Sequence, residues 1–257
     1  MLLNIQKNKK NTNNINKLLL YNQRYKFFKE NYNSVIPLDI YQTWYTKDLP
    51  QKMRERVELL KAQNPRFKHH LFDDNDCREF IRTHFKPDVV DAYDRLIPGA
   101  YKADLWRYCI LFIKGGIYLD IKYRPLNGFK FITLTESEHL AYDTNGIDIY
   151  NAVMVCLPGN QLLIRAIHMI VENVKNKFYG NSFLEPTGPK LLAKIISTND
   201  AIVDLKHKEL NNNINYRIIY FHDIPIFKSY NGHATERDKY SKKKHYSILW
   251  QERKVYL

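Results

Sequence analysis

Cysteine is scarce in this 257-residue chain: Cys77, Cys109 and Cys156 form an odd set without metal-ligand spacing, which argues against a disulfide scaffold or a zinc site. Cys109 falls inside an apolar helical run, where it reads as a small core residue. Long hydrophobic runs are missing too. The N-terminal apolar cluster covers only Leu18 to Tyr21, with Asn and Lys on both sides, far short of the ~20 residues that span a bilayer and without a signal-peptide core. A soluble, cytoplasmic protein is the expectation. No G-x-G-x-x-G, Walker loop or internal repeat occurs, so dinucleotide and P-loop binding lack support. Acidic residues are outnumbered, 27 against 40 Lys and Arg, for a net charge of +13. Residues 1–33 hold seven of those cations against the lone Glu30, so the excess is not confined to the tail. Such a balance favours anionic partners: a nucleotide diphosphate, a polyanionic glycan, a membrane surface or a nucleic acid. Nucleic-acid binding would need basic residues interleaved with exposed aromatics along one surface. It is disfavoured here because many of the Tyr and Phe sit in apolar periodic runs.

The chain divides into an Asn/Lys-rich segment, 1–34, and a single domain, 35–257, long enough to bury a full core. Residues 1–14 read as disordered, and a helix from Ile15 to Phe28, with Lys17, Arg24 and Lys26, offers a peripheral contact with anionic lipid. Ile36 to Trp44 reads as a buried strand delivering Gln42, Thr43 and Trp44 at its end. Asp48 and Pro50 start a helix with Met53, Val57 and Leu60 inward, which Asn64-Pro65 breaks. Phe67 to Phe72 forms a second strand, and Asp73 or Asp74 is a candidate cap for a helix whose apolar side is Cys77, Phe80, Ile81 and His84. Ala152 to Leu157 is a further strand, and Leu162 to Val174 a helix with Leu163, Ala166, Ile167, Ile170 and Val174 inward. This alternation predicts an α/β fold with a mostly parallel central sheet, helices on both faces and ligands beyond the carboxyl ends of the strands.

The stretch Tyr101 to Tyr123, YKADLWRYCILFIKGGIYLDIKY, concentrates the chemistry. A helix apolar almost all round is buried, and Asp104 and Arg107 project from it on neighbouring directions. Burying both is costly unless they meet each other or a polar ligand. After Gly115-Gly116, alternation predicts a strand with Tyr118, Asp120 and Lys122 on one face and Ile117, Leu119 and Ile121 on the other.

Ala103-Asp104, Arg107-Tyr108, Gly115-Gly116, Tyr118 and Asp120 resemble the motif of the DXD-containing sugar transferases of glycosyltransferase family 32, the alpha-mannosyltransferase family. IPLDIYQTW (36–44), NPRFKHHLFDD (64–74), TGPKLL (187–192) and HYSILWQERKVY (245–256) are similar to further family segments. The resemblance spans about residues 35 to 257 and implies the Rossmann-like GT-A fold. It also implies a retaining transferase that moves a hexose from a UDP- or GDP-sugar to a glycan or protein hydroxyl. On it, Asp104 binds donor sugar hydroxyls, Arg107 holds Asp104 or the diphosphate, and Asp120 is the first aspartate of DXD. Gln42, Trp44, Tyr118, Ser247 and Trp250 become donor contacts, and Asp148 and Asn151 align loosely near the acceptor.

Lys122 stands where the family has its second, cation-binding aspartate. A hard cation such as Mn²⁺ or Mg²⁺ wants oxygen ligands, and an ammonium has three donors and no lone pair. Two outcomes remain: a weaker metal site at Asp120 with His245 as helper, or metal-independent catalysis with the Lys122 ammonium facing the diphosphate. A domain that binds nucleotide or glycan without turnover is the rival from another class. Arg237, Lys239, Lys242, Lys243 and Lys244 make a candidate phosphate lid, and His222, Asp223 and His233 carry no assignment.

Overall fold

The computed structural model describes residues 31–126, 128–196, 203–212, 214–241 and 244–257. Segment 1–30, where disorder and a lipid-contacting helix are expected, lies outside the described residues, as do Lys242 and Lys243. Ser34 to Leu257 forms one compact unit. Among the described residues no helix is long and apolar enough to cross a membrane.

The first half follows the expected alternation. Strand β1 (Asp39–Thr43) precedes α1 (Gln51–Gln63), which buries Met53, Val57 and Leu60. Strand β2 (Lys68–Phe72) leads into α2 (Asp74–His84), capped by Asp73, whose side chain accepts from the Asp76 amide while Asp76 answers the Asp73 amide. That reciprocal box assigns Asp73 to helix capping. His84 does not join the apolar side of α2. It is exposed and stacks on Phe80 from outside, 4.2 Å between ring centroids. Helices α3 (Pro87–Arg95) and α4 (Gly99–Lys114) follow, and α4 is the central one, burying nine side chains from Tyr101 to Leu111.

Beyond α4 lie β3 (Gly116–Leu119), β4 (Tyr123–Pro125), β5 (His139–Tyr142), β6 (Ile149–Cys156), α5 (Gln161–Lys175), α6 (Pro189–Ile195), β7 (Val203–Asn212), β8 (Ile214–Phe221), β9 (Ile224–Ser229), α7 (His233–Ser241) and α8 (Tyr246–Gln251). The strands form one α/β sheet in the order β2-β1-β3-β6-β5-β7-β8-β9-β4. Parallel pairing holds over β2-β1-β3 and recurs at β5-β7, whereas the other neighbours run antiparallel. The sheet is therefore mixed rather than mostly parallel. Its second half is built from tight hairpins, which antiparallel strands alone permit. His222 and Asp223, both with positive φ (45° and 63°), are the two-residue turn between β8 and β9, a favoured hairpin geometry.

Strands β3 and β4 are third and last in the sheet, yet three residues connect them. So short a link reaches only about 3.3–3.6 Å per residue, so the sheet curls until its last strand stands beside the end of β3. Gly115 and Gly116 make the preceding turn with φ of 63° and 98°; a Cβ on Gly116 would lie 2.8 Å from the Asp39 carbonyl oxygen. Gly116→Ala is expected to cost roughly 2–4 kcal/mol from the backbone conformation and the clash together. A urea midpoint unchanged from the parent chain would contradict this.

Candidate active site

Asp120 follows the last residue of β3, and its amide still bonds to the Ala152 carbonyl of β6, 2.8 Å. The expected alternating strand ends there. Tyr123 donates its amide to the Asp120 carbonyl at 3.0 Å, closing a turn over Asp120-Ile121-Lys122. The turn, not strand alternation, folds Lys122 back so that its Nζ lies 2.6 Å from Asp120 Oδ2. Tyr230, just past β9, donates its amide to the Lys122 carbonyl at 3.0 Å, and the turn is pinned from the far edge of the sheet.

Helix α4 brings two more charges. Arg107 Nη2 lies 3.3 Å from Asp104 Oδ1 and 3.6 Å from Asp120 Oδ1, so one guanidinium bridges both carboxylates. Its Nη1 donates to the Asn151 carbonyl (2.5 Å) and its plane rests 4.2 Å from the Tyr118 ring centroid. Asp104 accepts from Asn151 Nδ2 at 2.9 Å and from Thr187 Oγ1 at 2.7 Å. Every polar atom of this buried pair thus meets a partner, the condition under which buried charge is tolerated. Burial holds the Asp104 carboxyl above its usual range, against the pull of Arg107 and Thr187. Burial also pushes the Asp120 carboxyl up, but Lys122 and Arg107 together outweigh it and bring it down to about 2. Asp120 therefore stays ionised across the neutral range. Lys122 is the converse: burial disfavours its charge, and Asp120 restores it and leaves its pKa raised.

Tyr118 donates its hydroxyl to Asp120 Oδ1 at 2.8 Å. Lys122 Nζ stands 5.2 Å from the Tyr123 ring centroid and 5.7 Å from that of Tyr150. His233, at the start of α7, is pushed down to about 3 by burial and then by the Lys122 charge. In α8, His245 Nδ1 pairs with Ser247 Oγ at 2.7 Å and caps the helix by accepting from the Ser247 amide. Trp250 donates its indole N–H to the Tyr179 carbonyl, 2.7 Å, and anchors α8 on the loop after α5.

Residues 50–138 match the family described as glycosyltransferase sugar-binding region containing DXD motif. The chain belongs to the DXD-containing glycosyltransferases. It is 31% identical over 207 residues to the initiation-specific alpha-1,6-mannosyltransferase of Schizosaccharomyces pombe, covering 69% of this chain and 50% of that protein. It is 36% identical over 91 residues to the inositol phosphoceramide mannosyltransferase 3 of the same organism, 35% of this chain and 25% of the relative. The chain therefore spans a quarter to a half of the length of these relatives. Among solved structures the PaToxG glycosyltransferase matches with a TM-score of 0.50 at 15% identity, over 64% of this chain and 69% of that one. That likeness carries the α/β glycosyltransferase fold.

Within this family member, the structure brings Asp104, Arg107, Tyr118, Asp120 and Lys122 into one cluster. Gln42 is placed differently from its expected donor contact. It is 1% exposed and both ends of its amide are engaged, with Nε2 donating to the Leu119 carbonyl (3.1 Å) and Oε1 meeting His69 Nε2 (2.8 Å). It ties β2 to β3 across β1. Trp44 is half-buried against Tyr45, 5.0 Å between centroids, beside the cluster of Leu49, Met53 and Ile121, and its buried Nε1 meets no partner among the described residues. Asp148 is engaged by Asn145 within its own loop. Asn151 joins the Asp104 cluster. Of the lid cations, Arg237 pairs with Asp238 and Lys244 with Glu252, while Lys239 lies over the Tyr240 ring at 5.7 Å. Thr187, Tyr123 and Tyr150 were not singled out from the sequence. Only the TGP motif pointed toward Thr187.

The donor set does not fit a divalent cation. The oxygens of Asp120 already serve Tyr118, Arg107 and Lys122, and the expected helper His245 pairs with Ser247 instead. Among the described residues no three His, Cys, Asp or Glu side chains group as cation ligands.

Proposed function

We propose that this chain is a retaining hexosyltransferase that moves a sugar from a nucleotide diphosphate sugar to a glycan or protein hydroxyl, with the Lys122 ammonium in the place of a metal ion. The observation that carries this is the Lys122 Nζ to Asp120 Oδ2 contact of 2.6 Å inside the Asp104–Arg107 cluster. The names of the relatives point to mannose as the hexose, and one of them adds an inositol phosphoceramide headgroup to the acceptor classes. In the reaction, the bond between the anomeric carbon and the diphosphate oxygen breaks, and the acceptor oxygen bonds to that carbon from the same face. The acceptor proton passes to the departing diphosphate. Charge develops on the leaving oxygens, and a fixed cation in a site shielded from water stabilises it more than it stabilises the bound donor. On the family resemblance Asp104, held by Arg107, Asn151 and Thr187, is the carboxylate assigned to the sugar hydroxyls. This reading needs no covalent nucleophile, so positioning and electrostatics carry the rate.

Calorimetric titration with UDP and GDP, each with Mn²⁺ and with EDTA, tests this. Binding of one nucleotide that survives EDTA, with slow hydrolysis of the matching nucleotide sugar, is expected. Binding that requires Mn²⁺ would return the charge to a metal, binding without hydrolysis would identify a non-catalytic nucleotide-binding domain, and no binding would overturn sugar transfer altogether.

A further inference from the structure

Lys122 is only 9% exposed, and a side chain with four rotatable bonds needs more than one ion pair to keep its ammonium at a fixed point. The surroundings supply a seat. Tyr123, fully buried, and Tyr150, 7% exposed, join hydroxyl to hydroxyl at 2.8 Å, and the ammonium stands within cation–π reach of both rings. A π face attracts the cation without using an N–H as a lone pair would. The ammonium so held keeps donors for anionic oxygens beyond Asp120.

Tyr150 is itself clamped. The His207 ring of β7 stacks on it with centroids 3.9 Å apart and planes within 7°. His207 thus covers one face of the ring whose centroid lies 5.7 Å from the Lys122 ammonium. His207 Nδ1 pairs with Asp143 Oδ1 at 2.8 Å, and Asp143 Oδ1 also accepts from the Thr144 amide at 2.7 Å. A chain of contacts thus runs from the loop after β5, through β7 and β6, to the turn that carries Lys122. Tyr150, His207 and Asp143 lie outside the DXD segment, and Tyr123 is its last residue.

We propose that Tyr150, clamped by the Tyr123 hydroxyl and the His207 ring, is a positioning residue that sets the Lys122 ammonium for the leaving diphosphate. The proposal rests on Lys122 supplying that charge. It assigns to the pair Tyr150 and His207 a part of the donor-diphosphate specificity that the DXD segment alone does not hold.

The test uses the full chain with Tyr150→Phe, Tyr150→Leu and His207→Leu beside Lys122→Ala. Affinity for GDP and UDP is measured calorimetrically in EDTA, and the reactivity of Lys122 toward an amine-labelling reagent is read by mass spectrometry. Tyr150→Phe keeps the ring and the His207 stack but loses the bond to the Tyr123 hydroxyl, and is expected to fall between the parent and the leucine variants, within about threefold of the parent in both readouts. Tyr150→Leu and His207→Leu are expected to weaken the nucleoside diphosphate about three- to tenfold and to speed labelling of Lys122 by a similar factor, a change that a general loss of packing would not confine to one lysine. His207→Leu leaves the tyrosine in place and serves where Tyr150→Leu folds poorly. If Lys122→Ala weakens binding while both leucine variants bind and label as the parent does, the positioning role is overturned and Lys122 keeps its own. If Lys122→Ala binds as the parent does, the charge assignment fails and the positioning role with it.

Discussion

Lys122→Ala is expected to lower sugar transfer by at least about 100-fold at saturating donor, the scale on which a single preorganised donor to a developing anion acts. The reason is geometric. Nζ sits 2.6 Å from Asp120, its burial is offset by that carboxylate, and Arg107, the other cation that reaches Asp120, is spent on Asp104, Asp120 and the Asn151 carbonyl. Lys122→Asp is the sharper variant. It places two carboxylates on one turn with no ammonium between them, so the pair repels unless a cation is supplied. Nucleotide binding in EDTA is expected to vanish in Lys122→Asp, and Mn²⁺ is expected to recover part of it. The measurements are initial rates of transfer or donor hydrolysis and calorimetric affinity, each with EDTA and with Mn²⁺. Lys122→Ala retaining full rate in EDTA would show that another group neutralises the diphosphate.

The second large effect falls on Arg107, and it is one of stability as well as activity. Arg107→Met removes the cation that bridges Asp104 and Asp120 and leaves Asp104, 8% exposed, with hydrogen bonds from Asn151 and Thr187 but no counter-charge. Stranding one member of a buried ion pair costs about 3–5 kcal/mol, which for a domain of this size corresponds to roughly 10 °C in Tm. Removing both partners together, as Arg107→Met with Asp104→Leu, is expected to cost less stability than Arg107→Met alone, since no uncompensated charge remains, while transfer stays abolished. Thermal unfolding of the two variants checks the sign. A double variant less stable than the single one would mean that packing around Asn151 and Thr187, rather than charge, governs the cluster.

Both expectations depend on features of unequal legibility. The inward stripe of α1, Met53, Val57 and Leu60, and that of α5, from Leu163 to Val174, were readable from spacing, because a helix must bury one face and the period is fixed by its backbone. The buried Asp104–Arg107 pair was readable as well, since two charges on a helix apolar all round have few other places to go. Hairpin content was harder to read. The turn at His222-Asp223 carries no glycine, and the mixed second half of the sheet came from connection lengths that periodicity alone does not weigh. Gln42 shows the opposite failure: a polar residue at a strand end looked available, but His69 and the Leu119 carbonyl, 27 and 77 positions away, consume its amide.

The sequence by itself determined the α/β alternation, the burial of α4, the break at Gly115-Gly116 and the residue types at the site, because each follows from local periodicity or from the steric demands of one or two residues. Tertiary structure alone decided what those residues do together. The turn after β3 aims Lys122 back at Asp120, the curl of the sheet sets Tyr230 on that turn, and β6, β7 and the loop before α6 deliver Tyr150, His207 and Thr187 from 28 to 85 positions further along the chain. Contacts of such long range depend on how distant strands close on one another, a property of the whole packed sheet and not of any segment within it.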